Sequence, residues 1–332
     1  MTESRYEKEQ AIAVVAVREA ARLCANVQAR LAITRMEKDD RSPVTVADYG
    51  SQALVCRQIR EAFSDDPIIA EEDASALRRA EYAPLLNRTT HYVRQIHRAA
   101  TSDDILQWID HGGADAYSDR FWTLDPIDGT KGFLRGEQYA VALALIIEGQ
   151  VQVAALACPN LANAAHAPGC IFVAERDRGA ASYPLIEHGE AQPVHVSRIA
   201  DPRQARFCES VESAHSAHGH AAAVAHRLGI VRAPRRLDSQ AKYAVVARGN
   251  ADIYLRLPTR AGYEEKIWDH AAGVLIMEEA GGVVTDIAGR ALDFTRGVTL
   301  RENSGVVATN GHLHGAVLSA LRAATDSHMS AT

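Results

Sequence analysis

The sequence predicts a mixed α/β protein, and three observations along the chain support this prediction. Residues 8–30 are rich in Ala, Val and Leu and carry Arg and Glu at helical intervals, which is typical of an amphipathic helix. Residues 139–147 and 151–157 are two β-rich runs joined by a Gly-containing turn, which indicates a hairpin. Near the C-terminus, a strand over 251–257 precedes a helix over 264–279. Helices and strands are therefore interspersed along the chain.

Length and composition favour a large folded protein. A chain of 332 residues is long enough for two domains or for one large domain. We predict an N-terminal domain over 1–158, a C-terminal domain over 159–325 and a disordered tail over 326–332. Hydrophobic residues make up 47% of the chain and charged residues 23%, which suits a large core and carries no signature of disorder.

Charge and cysteine usage exclude several classes of protein. The net charge of -6 argues against a nucleic-acid-binding surface, although a locally basic pocket for a small anion remains open. The N-terminus is polar, unlike a secretory signal, and the apolar runs are too short to span a membrane. Five cysteines without a CxxC pattern indicate reduced thiols. We therefore expect a cytoplasmic protein that binds neither nucleic acid nor membrane. We also expect it to be a monomer or a weak homodimer.

One stretch, residues 122–130, organises the chemistry of the chain. An apolar run ends in Asp125-Pro126, and Asp128, Gly129 and Thr130 follow directly. Proline fits a strand end, and glycine can adopt the positive φ of a tight turn. Two crowded carboxylates raise each other's pKa, and a hard cation such as Mg²⁺ relieves that repulsion. The alternative is a surface turn with two solvated acids.

Other acids stand at comparable places along the chain. Glu71 and Glu72 follow the short buried strand 68–70, and a solvated acidic loop is the alternative there. A charged loop over 38–43 precedes a helix predicted over 47–63, and Asp48 lies in the first turn of that helix. Asp269 lies in the first turn of the helix predicted over 264–279. An acid in the first turn also stabilises the helix dipole, which is the alternative for both residues.

The block Asp125–Gln138 resembles the central signature of the inositol monophosphatase superfamily of Mg²⁺-dependent phosphatases. Its part Lys131–Gln138 looks like the 3'(2'),5'-bisphosphate nucleotidase branch of that superfamily. The segments Ser42–Asp48 and Trp268–Gly273 resemble further family segments, and Leu237–Tyr243 also favours the nucleotidase branch. The resemblance implies a layered αβαβα sandwich, with an α+β N-terminal half that carries most metal ligands and an α/β C-terminal half with the nucleotide contacts.

The resemblance also implies roles for individual residues. Glu71, Asp125 and the carbonyl of Ile127 would hold one Mg²⁺, with Glu72 as the competitor of Glu71 if the register differs by one. Asp125, Asp128 and Asp269 would hold a second ion, with two or three ions in all. Asp48 and Thr130 would position and deprotonate the attacking water, although Thr130 could instead cap the following helical turn. The donors expected for the substrate are Gly129, Thr130, His218, Ser239, Lys242 and Arg256.

A histidine pair leaves one alternative open. His215 and His218 are three residues apart, a spacing that zinc could use, but no further Cys or His pair completes such a site nearby. We prefer His218 to His215 as the substrate contact. Each of the substrate contacts could instead be an ordinary surface residue.

The predicted function is hydrolysis of the 3'-phosphate of adenosine 3',5'-bisphosphate to AMP and phosphate, with 3'-phosphoadenylyl sulfate as a further substrate. The resemblance also implies inhibition by Li⁺. One alternative is an inositol phosphate or histidinol phosphate phosphatase on the same fold. A non-catalytic anion-binding regulatory protein is a second, and it would be expected to lose one or more of the acids that this sequence retains.

Overall fold

The computed structural model describes residues 4–34, 42–162, 168–186, 189–211, 218–260 and 262–329. Its helices are α1 (Glu7–Thr34), α2 (Ser42–Ala62), α3 (Ala83–Arg94), α4 (Ser102–His111), α5 (Thr130–Arg135), α6 (His218–Arg227), α7 (Ala241–Ala247), α8 (Ala271–Glu279) and α9 (His314–Met329). Its strands are β1 (Ile68–Ala70), β2 (Arg120–Asp128), β3 (Ala140–Ile147), β4 (Gln150–Ala162), β5 (Pro168–Glu175), β6 (Gly179–Pro184), β7 (Gln192–Val194), β8 (Phe207–Glu209), β9 (Arg235–Arg236), β10 (Ile253–Arg256), β11 (Val283–Thr285) and β12 (Val306–Thr309).

Strands β1 to β7 form the first sheet in the order of the sequence. Strands β1 and β2 are parallel, and the remaining neighbours are antiparallel. The predicted hairpin is present as β3 and β4. Its turn has positive φ at Glu148 and Gly149, 51° and 76°, which matches the twist that tight hairpins require.

Alternating side chains of the first sheet enter two different cores. Val141, Leu143 and Leu145 of β3 pack with helices α1 and α2 on one face. Ala142 and Ile146 pack with α7 and α8 on the other face. Because successive strand residues point to opposite faces, a sheet covered by helices on both sides is apolar at almost every position.

The second sheet has the order β11-β12-β10-β8-β9 and lies on the far side of α7 and α8. Tyr254 of β10 packs toward those two helices. Its neighbours Ile253 and Leu255 pack into a third core that includes residues of α6 and α9, such as Val224 and Val317. The layers are thus helix, sheet, helix, sheet and helix, and the predicted αβαβα sandwich is confirmed.

The chain passes from the first sheet to the second sheet between Val194, the last residue of β7, and Phe207, the first residue of β8. Residue 158, the predicted domain division, lies inside β4, which pairs with β3 and β5 along its two edges. The division into two domains stays a prediction. Helix α9 runs to Met329 and so enters the predicted tail 326–332, of which residues 330–332 lie outside the described residues.

Within the described part of the chain, no helix combines the length and the apolar character that crossing a bilayer requires. The five cysteines are buried and unpaired with one another, in agreement with the prediction of reduced thiols.

Candidate active site

Two acidic strand ends meet at one edge of the first sheet. Strands β1 and β2 run parallel, with Ala70 beside Leu124. Glu71 and Asp125 are the next residues of the two strands, so they emerge at the same end. Ligand sites of α/β proteins commonly lie outside the carboxyl ends of parallel strands.

A bulge at the end of β2 brings a second carboxylate to this point. Asp125 pairs with Ala142 and Asp128 with Ala140, so three residue steps along β2 face two steps along β3. The extra residue bends the strand. Gly129 follows with a φ of 88°, and α5 then begins. The turn inferred from the sequence is therefore a strand bulge followed by a left-handed glycine.

Helix α2 carries Asp48 close to these acids. The helix begins at Ser42, earlier than the predicted start at residue 47, so Asp48 lies in the second turn instead of the first. Asp48 is buried and is not a solvated helix-terminal acid. Burial raises the pKa of Asp48, and the carboxylates of Glu72 and Glu71 raise it further.

Two further side chains of α2 hold the acid-bearing segments through their backbones. The hydroxyl of Ser51 donates a 2.8 Å hydrogen bond to the carbonyl of Pro126, between the two acids of the bulge. The amide of Gln52 hydrogen-bonds both backbone groups of Glu72, next to Glu71. Both side chains are fully buried, so helix α2 fixes the ends of β1 and β2 together.

The second half of the chain closes the site from the opposite side. Asp269 lies in a 3₁₀ turn, Ile267–Asp269, just before α8, whereas the sequence predicts the first turn of the helix itself. Together the two halves enclose a cavity of about 290 Å³. Its walls are formed by Glu71, Asp125, Ile127, Asp128, Gly129, Thr130, Lys131, Asp238, Ser239, Gln240, Lys242, Tyr254, Arg256, Tyr263 and Asp269.

The acids of this cavity repel one another. Burial and the nearby carboxylates of Glu72, Asp269 and Asp128 raise the pKa of Glu71 to about 8. Burial and the charges of Glu71 and Asp128 raise the pKa of Asp125 well above its ordinary value. The pKa of Asp269 is raised by burial, and the guanidinium of Arg256 opposes this shift. These groups cannot all be ionised at neutral pH without a compensating cation.

The donors present fit a hard divalent cation. Within the described residues, atom Oδ1 of the buried Asp125 has no hydrogen-bond partner, an unusual state for a carboxylate oxygen in a protein interior. Glu71, Asp128 and Asp269 add further oxygens to the same cavity, and oxygen ligands are those that Mg²⁺ prefers. Glu71 and not Glu72 is the acid that lines it.

Arg256 is held by two carboxylates. Its Nε lies 2.7 Å from Oε2 of Glu265, and its Nη2 donates a 3.2 Å hydrogen bond to Oδ2 of Asp269. Burial alone would raise the pKa of Glu265, but a hydrogen bond and the charges of His270 and Arg256 lower it to about 2. Atom Nδ1 of His270 in turn lies 2.8 Å from the hydroxyl of Tyr243.

Oxygen and nitrogen atoms of Glu265, Asp269 and His270 lie within 4.8 Å of one another, as metal ligands can. The guanidinium of Arg256, however, bridges the two carboxylates. This group is therefore an ion-pair network that orients Asp269 and Arg256, and we do not interpret it as a separate metal centre.

Lys242 is a further cationic side chain of the cavity. Its ammonium lies 5.3 Å from the ring centroid of Tyr254, and the residue is buried. Burial lowers the pKa of Lys242, whereas the charge of Asp128 opposes that shift. Ser239 precedes helix α7, which begins at Ala241, so Ser239 lies in a turn and Lys242 lies in the helix that follows it. Both residues nevertheless line the cavity.

Gly129 and Ser239 meet directly across the cavity floor. Ser239 adopts a φ of 69°, which is rare for a residue other than glycine. A Cβ atom on Gly129 would lie 2.9 Å from the Cβ atom of Ser239, closer than such atoms approach. The contact between the two halves therefore requires glycine at position 129 for space as well as for its φ.

The structure brings together all predicted site residues except Asp48 and His218. Asp48 lies outside the cavity wall, where its charge interacts with those of Glu71 and Glu72. His218 is the first residue of α6, but its side chain and the whole of His215 lie outside the described residues. Thr130 caps no helix: its hydroxyl makes a long 3.4 Å hydrogen bond to the carbonyl of Ile127.

Several residues of the site were missed from the sequence. Gln52 and Gln240 act through partners that are 20 to 112 residues away, and Glu265 acts through a network of several side chains. Asp238, which forms an ion pair with Arg135 and lines the cavity, was not predicted as a site residue. One sequence signal could have identified Glu265: it is an acid only four residues before Asp269, the last predicted metal ligand.

Comparison with known proteins gives a consistent result. Residues 5–326 match the model of the inositol monophosphatase family. A relative from Schizosaccharomyces pombe, named 3'(2'),5'-bisphosphate nucleotidase, is 43% identical over 96% of this chain and 96% of its own. Relatives of the same name from Emericella nidulans and Oryza sativa are 45% and 43% identical, each over 96% of this chain and over 98% and 94% of their own.

Solved structures share the fold at low identity. An inositol monophosphatase from Anabaena (Nostoc) sp. PCC 7120 aligns with a TM-score of 0.62 and 22% identity, over 96% of this chain and 97% of its own. One from Zymomonas mobilis aligns with a TM-score of 0.64 and 20% identity, over 96% and 100%.

Proposed function

The chain belongs to the inositol monophosphatase family, and we propose that it is a 3'(2'),5'-bisphosphate nucleotidase, a phosphatase that converts adenosine 3',5'-bisphosphate into AMP and phosphate. Relatives that carry this name at 43–45% identity over 96% of the chain support the assignment. The observation that carries it is one cavity lined both by the carboxylates of Glu71, Asp125, Asp128 and Asp269 and by the cationic side chains of Lys242 and Arg256.

Such a cavity suits a substrate with two phosphates. The carboxylates of the cavity can act on one phosphate only through bound cations, because bare carboxylates repel it. Lys242 and Arg256 can hold the other phosphate by charge-assisted hydrogen bonds. Hydrolysis of a phosphate monoester is among the slowest uncatalysed reactions, so the cations and the positioned groups must together lower the barrier substantially.

The acids would hold two or three Mg²⁺ ions. Glu71, Asp125 and the carbonyl of Ile127 form one donor set, and Asp125, Asp128 and Asp269 form another. Bound Mg²⁺ would supply a water of lowered pKa and would neutralise charge on the attacking and leaving oxygens.

Asp48 and Thr130 position and deprotonate the attacking water. The raised pKa of Asp48 supports its role, because a carboxylate that holds a proton more strongly is a better general base near neutral pH. The hydroxyl of Thr130 lies at the cavity wall and hydrogen-bonds the carbonyl of Ile127, which orients it beside the acids.

Lys242, Ser239 and Arg256 bind the second phosphate, with backbone donors at Gly129 and Thr130 on the side of the first. His218 completes this set as a further proposal. Arg256 has a double role, since it also holds Asp269 through the ion pair described above. The same cavity would accept 3'-phosphoadenylyl sulfate, which carries the same 3'-phosphate.

Two other functions can be distinguished from the proposed nucleotidase activity. An inositol phosphate or histidinol phosphate phosphatase shares the fold, but the likeness to solved inositol monophosphatases is at 20–22% identity and concerns the fold alone. An anion-binding regulatory protein would not need four carboxylates in one cavity. A cytoplasmic location and a monomeric or weakly dimeric state stay predictions.

The test is phosphate release from a panel of substrates, with Mg²⁺ and with excess chelator. The panel contains adenosine 3',5'-bisphosphate, 3'-phosphoadenylyl sulfate, 3'-AMP, inositol 1-phosphate and histidinol phosphate. We expect the highest kcat/KM for adenosine 3',5'-bisphosphate and no turnover in chelator. Preference for inositol 1-phosphate would remove the nucleotide assignment, and no release from any substrate would favour the regulatory protein.

A further inference from the structure

Strand β1 ends before Glu71, so its backbone pairings do not fix the position of that acid. The strand has three residues and pairs with β2 on one side, from Ile68 to Ala70. On its other side, the amide of Ala70 donates a 2.9 Å hydrogen bond to the carbonyl of Gly112. Both pairings stop at Ala70, so the backbone of Glu71 and Glu72 needs another partner to keep a fixed direction.

The side chain of Gln52 supplies that partner. Its Oε1 accepts a 3.0 Å hydrogen bond from the amide of Glu72, and its Nε2 donates a 2.5 Å hydrogen bond to the carbonyl of the same residue. A primary amide presents an acceptor and a donor side by side, as a peptide group does, so Gln52 takes the place of a neighbouring strand residue. Nε2 also lies 3.3 Å from the carbonyl of Ile109, near the end of α4.

Packing holds this amide in one position. Gln52 is fully buried. A Cβ atom on Gly112 would lie 2.9 Å from Nε2 of Gln52 and 2.9 Å from the Cβ atom of Ala70. Only glycine at position 112 leaves room for the amide beside the strand end, so the amide has little freedom to turn away.

We propose that Gln52 is a positioning residue for Glu71, acts through the backbone of Glu72, and thereby sets the affinity of the cavity for its divalent cation. Glu71 lines the cavity, and its neighbour Glu72 is the residue that Gln52 clamps. Gln52 lies four residues after Asp48 on the same face of α2, so one helix face orients both the general base and a ligand acid. The inference rests on the proposed function, because it assumes that Glu71 binds Mg²⁺.

The test is calorimetric titration of the full-length protein with Mg²⁺ alone, without substrate. Gln52→Met keeps the length of the side chain and removes all three hydrogen bonds. Loss of a residue that orients a metal ligand typically weakens metal binding by about 10- to 100-fold. We expect the Kd for Mg²⁺ to rise by at least about tenfold, and kcat to recover to near the wild-type value at saturating Mg²⁺.

A matched control separates positioning from stability. Asn310 is also a fully buried amide with three hydrogen bonds, to Ser197, Ile199 and Leu313, but it lies in the second half, away from the cavity. Asn310→Leu should lower the Tm and leave the Kd for Mg²⁺ unchanged. An unchanged Kd in folded Gln52→Met would overturn the inference.

A double-mutant cycle distinguishes positioning of Glu71 from a purely structural role of Gln52, because only positioning makes the two losses of Mg²⁺ affinity non-additive. If Gln52 acts through Glu71, Gln52→Met should add little to the loss of Mg²⁺ affinity in Glu71→Gln. Additive losses would show that Gln52 acts elsewhere. If Gln52→Met does not fold, Gly112→Ala, whose added methyl displaces the amide, should raise the Kd in the same way, and an unchanged Kd there would also overturn the inference. Wild-type protein that neither binds Mg²⁺ nor releases phosphate would contradict the proposed function instead.

Discussion

The backbone amide of Gln240 donates a 2.6 Å hydrogen bond to Oδ2 of Asp128. The side chain of the same Gln240 donates a 2.7 Å hydrogen bond to the carbonyl of Trp268 and accepts one of 3.1 Å from the amide of Gly273. Gln240 therefore joins the bulge of the first sheet to the segment that carries Asp269. The two acids come from opposite halves of the chain, and one buried residue sets how they face each other.

Asp128→Asn should abolish most of the activity. Asparagine keeps an acceptor for the amide of Gln240 but removes the charge that a metal site needs. A loss of about 3 kcal/mol of transition-state stabilisation corresponds to roughly 100-fold in rate. We expect kcat/KM for adenosine 3',5'-bisphosphate to fall by at least about that factor. Asp103→Asn, an exposed acid on α4, is the control and should keep wild-type activity. Full activity of the Asp128 variant, or of the wild type in excess chelator, would contradict the mechanism.

The stability of the metal-free protein should fall as the pH rises from 5 to 8. The folded-state pKa values of Glu71, Asp125 and Asp269 are raised, so the folded protein binds protons more strongly than the unfolded chain. Their contribution is complete below the unfolded pKa of about 4 and is lost as the pH passes the folded pKa of Glu71, about 8. Glu265, with its pKa lowered to about 2, is already ionised in this window.

Thermal unfolding across this pH range, with Mg²⁺ and with chelator, measures the effect. Saturating Mg²⁺ should raise the Tm most at pH 8, because the cation takes the place of the protons. Asp125→Asn should raise the Tm of the metal-free protein at pH 8 and reduce the slope. A Tm in chelator that stays constant or rises over this range would argue against carboxylate repulsion.

Lys242→Met should discriminate between two substrates. Methionine keeps the apolar stem against Tyr254 and removes the charge. A lost charge-assisted hydrogen bond costs about 1.5–3 kcal/mol, or roughly 10- to 100-fold in an equilibrium constant. We expect kcat/KM for adenosine 3',5'-bisphosphate to fall by about that factor and that for 3'-AMP, which lacks the 5'-phosphate, to change little. Equal losses on both substrates, measured with one preparation, would make Lys242 a structural residue.

Glu265→Gln should destabilise the fold. Among the described residues, the guanidinium of Arg256 would keep Asp269 as its one carboxylate partner. Removing one partner of a buried pair commonly costs about 3 kcal/mol or more. Urea unfolding measures this loss. Glu264→Gln is the neighbouring control, since that exposed acid accepts a hydrogen bond only from Thr299 among the contacts described, and it should change stability by less than about 0.5 kcal/mol. Equal stability of both variants would show that Arg256 does not depend on Glu265.

Li⁺ should inhibit at matched ionic strength where Na⁺ does not. A monovalent ion carries half the charge of Mg²⁺ and leaves more of the repulsion among Glu71, Asp125 and Asp128 uncompensated. Initial rates titrated with LiCl and with NaCl make the comparison. Superimposable curves would reject lithium sensitivity for this protein.

The sequence was most informative where local chemistry decides the structure. Apolar runs that end in acids predicted that Glu71 and Asp125 follow buried strand residues. The family segment Trp268–Gly273, which comes after the segment Asp125–Gln138 in the chain, predicted Asp269. The predicted start of α2 at residue 47 is five residues too late, because proline at position 43 fits the first turn of a helix as well as a loop.

Residues that act over long range could not be predicted in the same way. Gln52 and Gln240 have no local pattern: their roles arise from backbone groups that only the packed sheets bring near. The sequence also does not show where the chain passes from the first sheet to the second, near residue 200. The segments that form β5 to β7 have the pattern of short strands and turns, and nothing in that pattern indicates which sheet they join.

The contact between Gly129 and Ser239 also bears on how this protein can change by mutation. The side chain of Ser239 occupies the space that a side chain at position 129 would need. The two residues lie 110 positions apart, in different halves of the chain. A side chain at position 129 becomes tolerable only if the turn at position 239 has already moved. Because Gly129 also has a φ of 88°, a substitution there needs both a residue that tolerates the left-handed conformation and a shifted turn at position 239. We therefore expect the residues at 129 and 239 to vary together, and rarely, among descendants of this sequence.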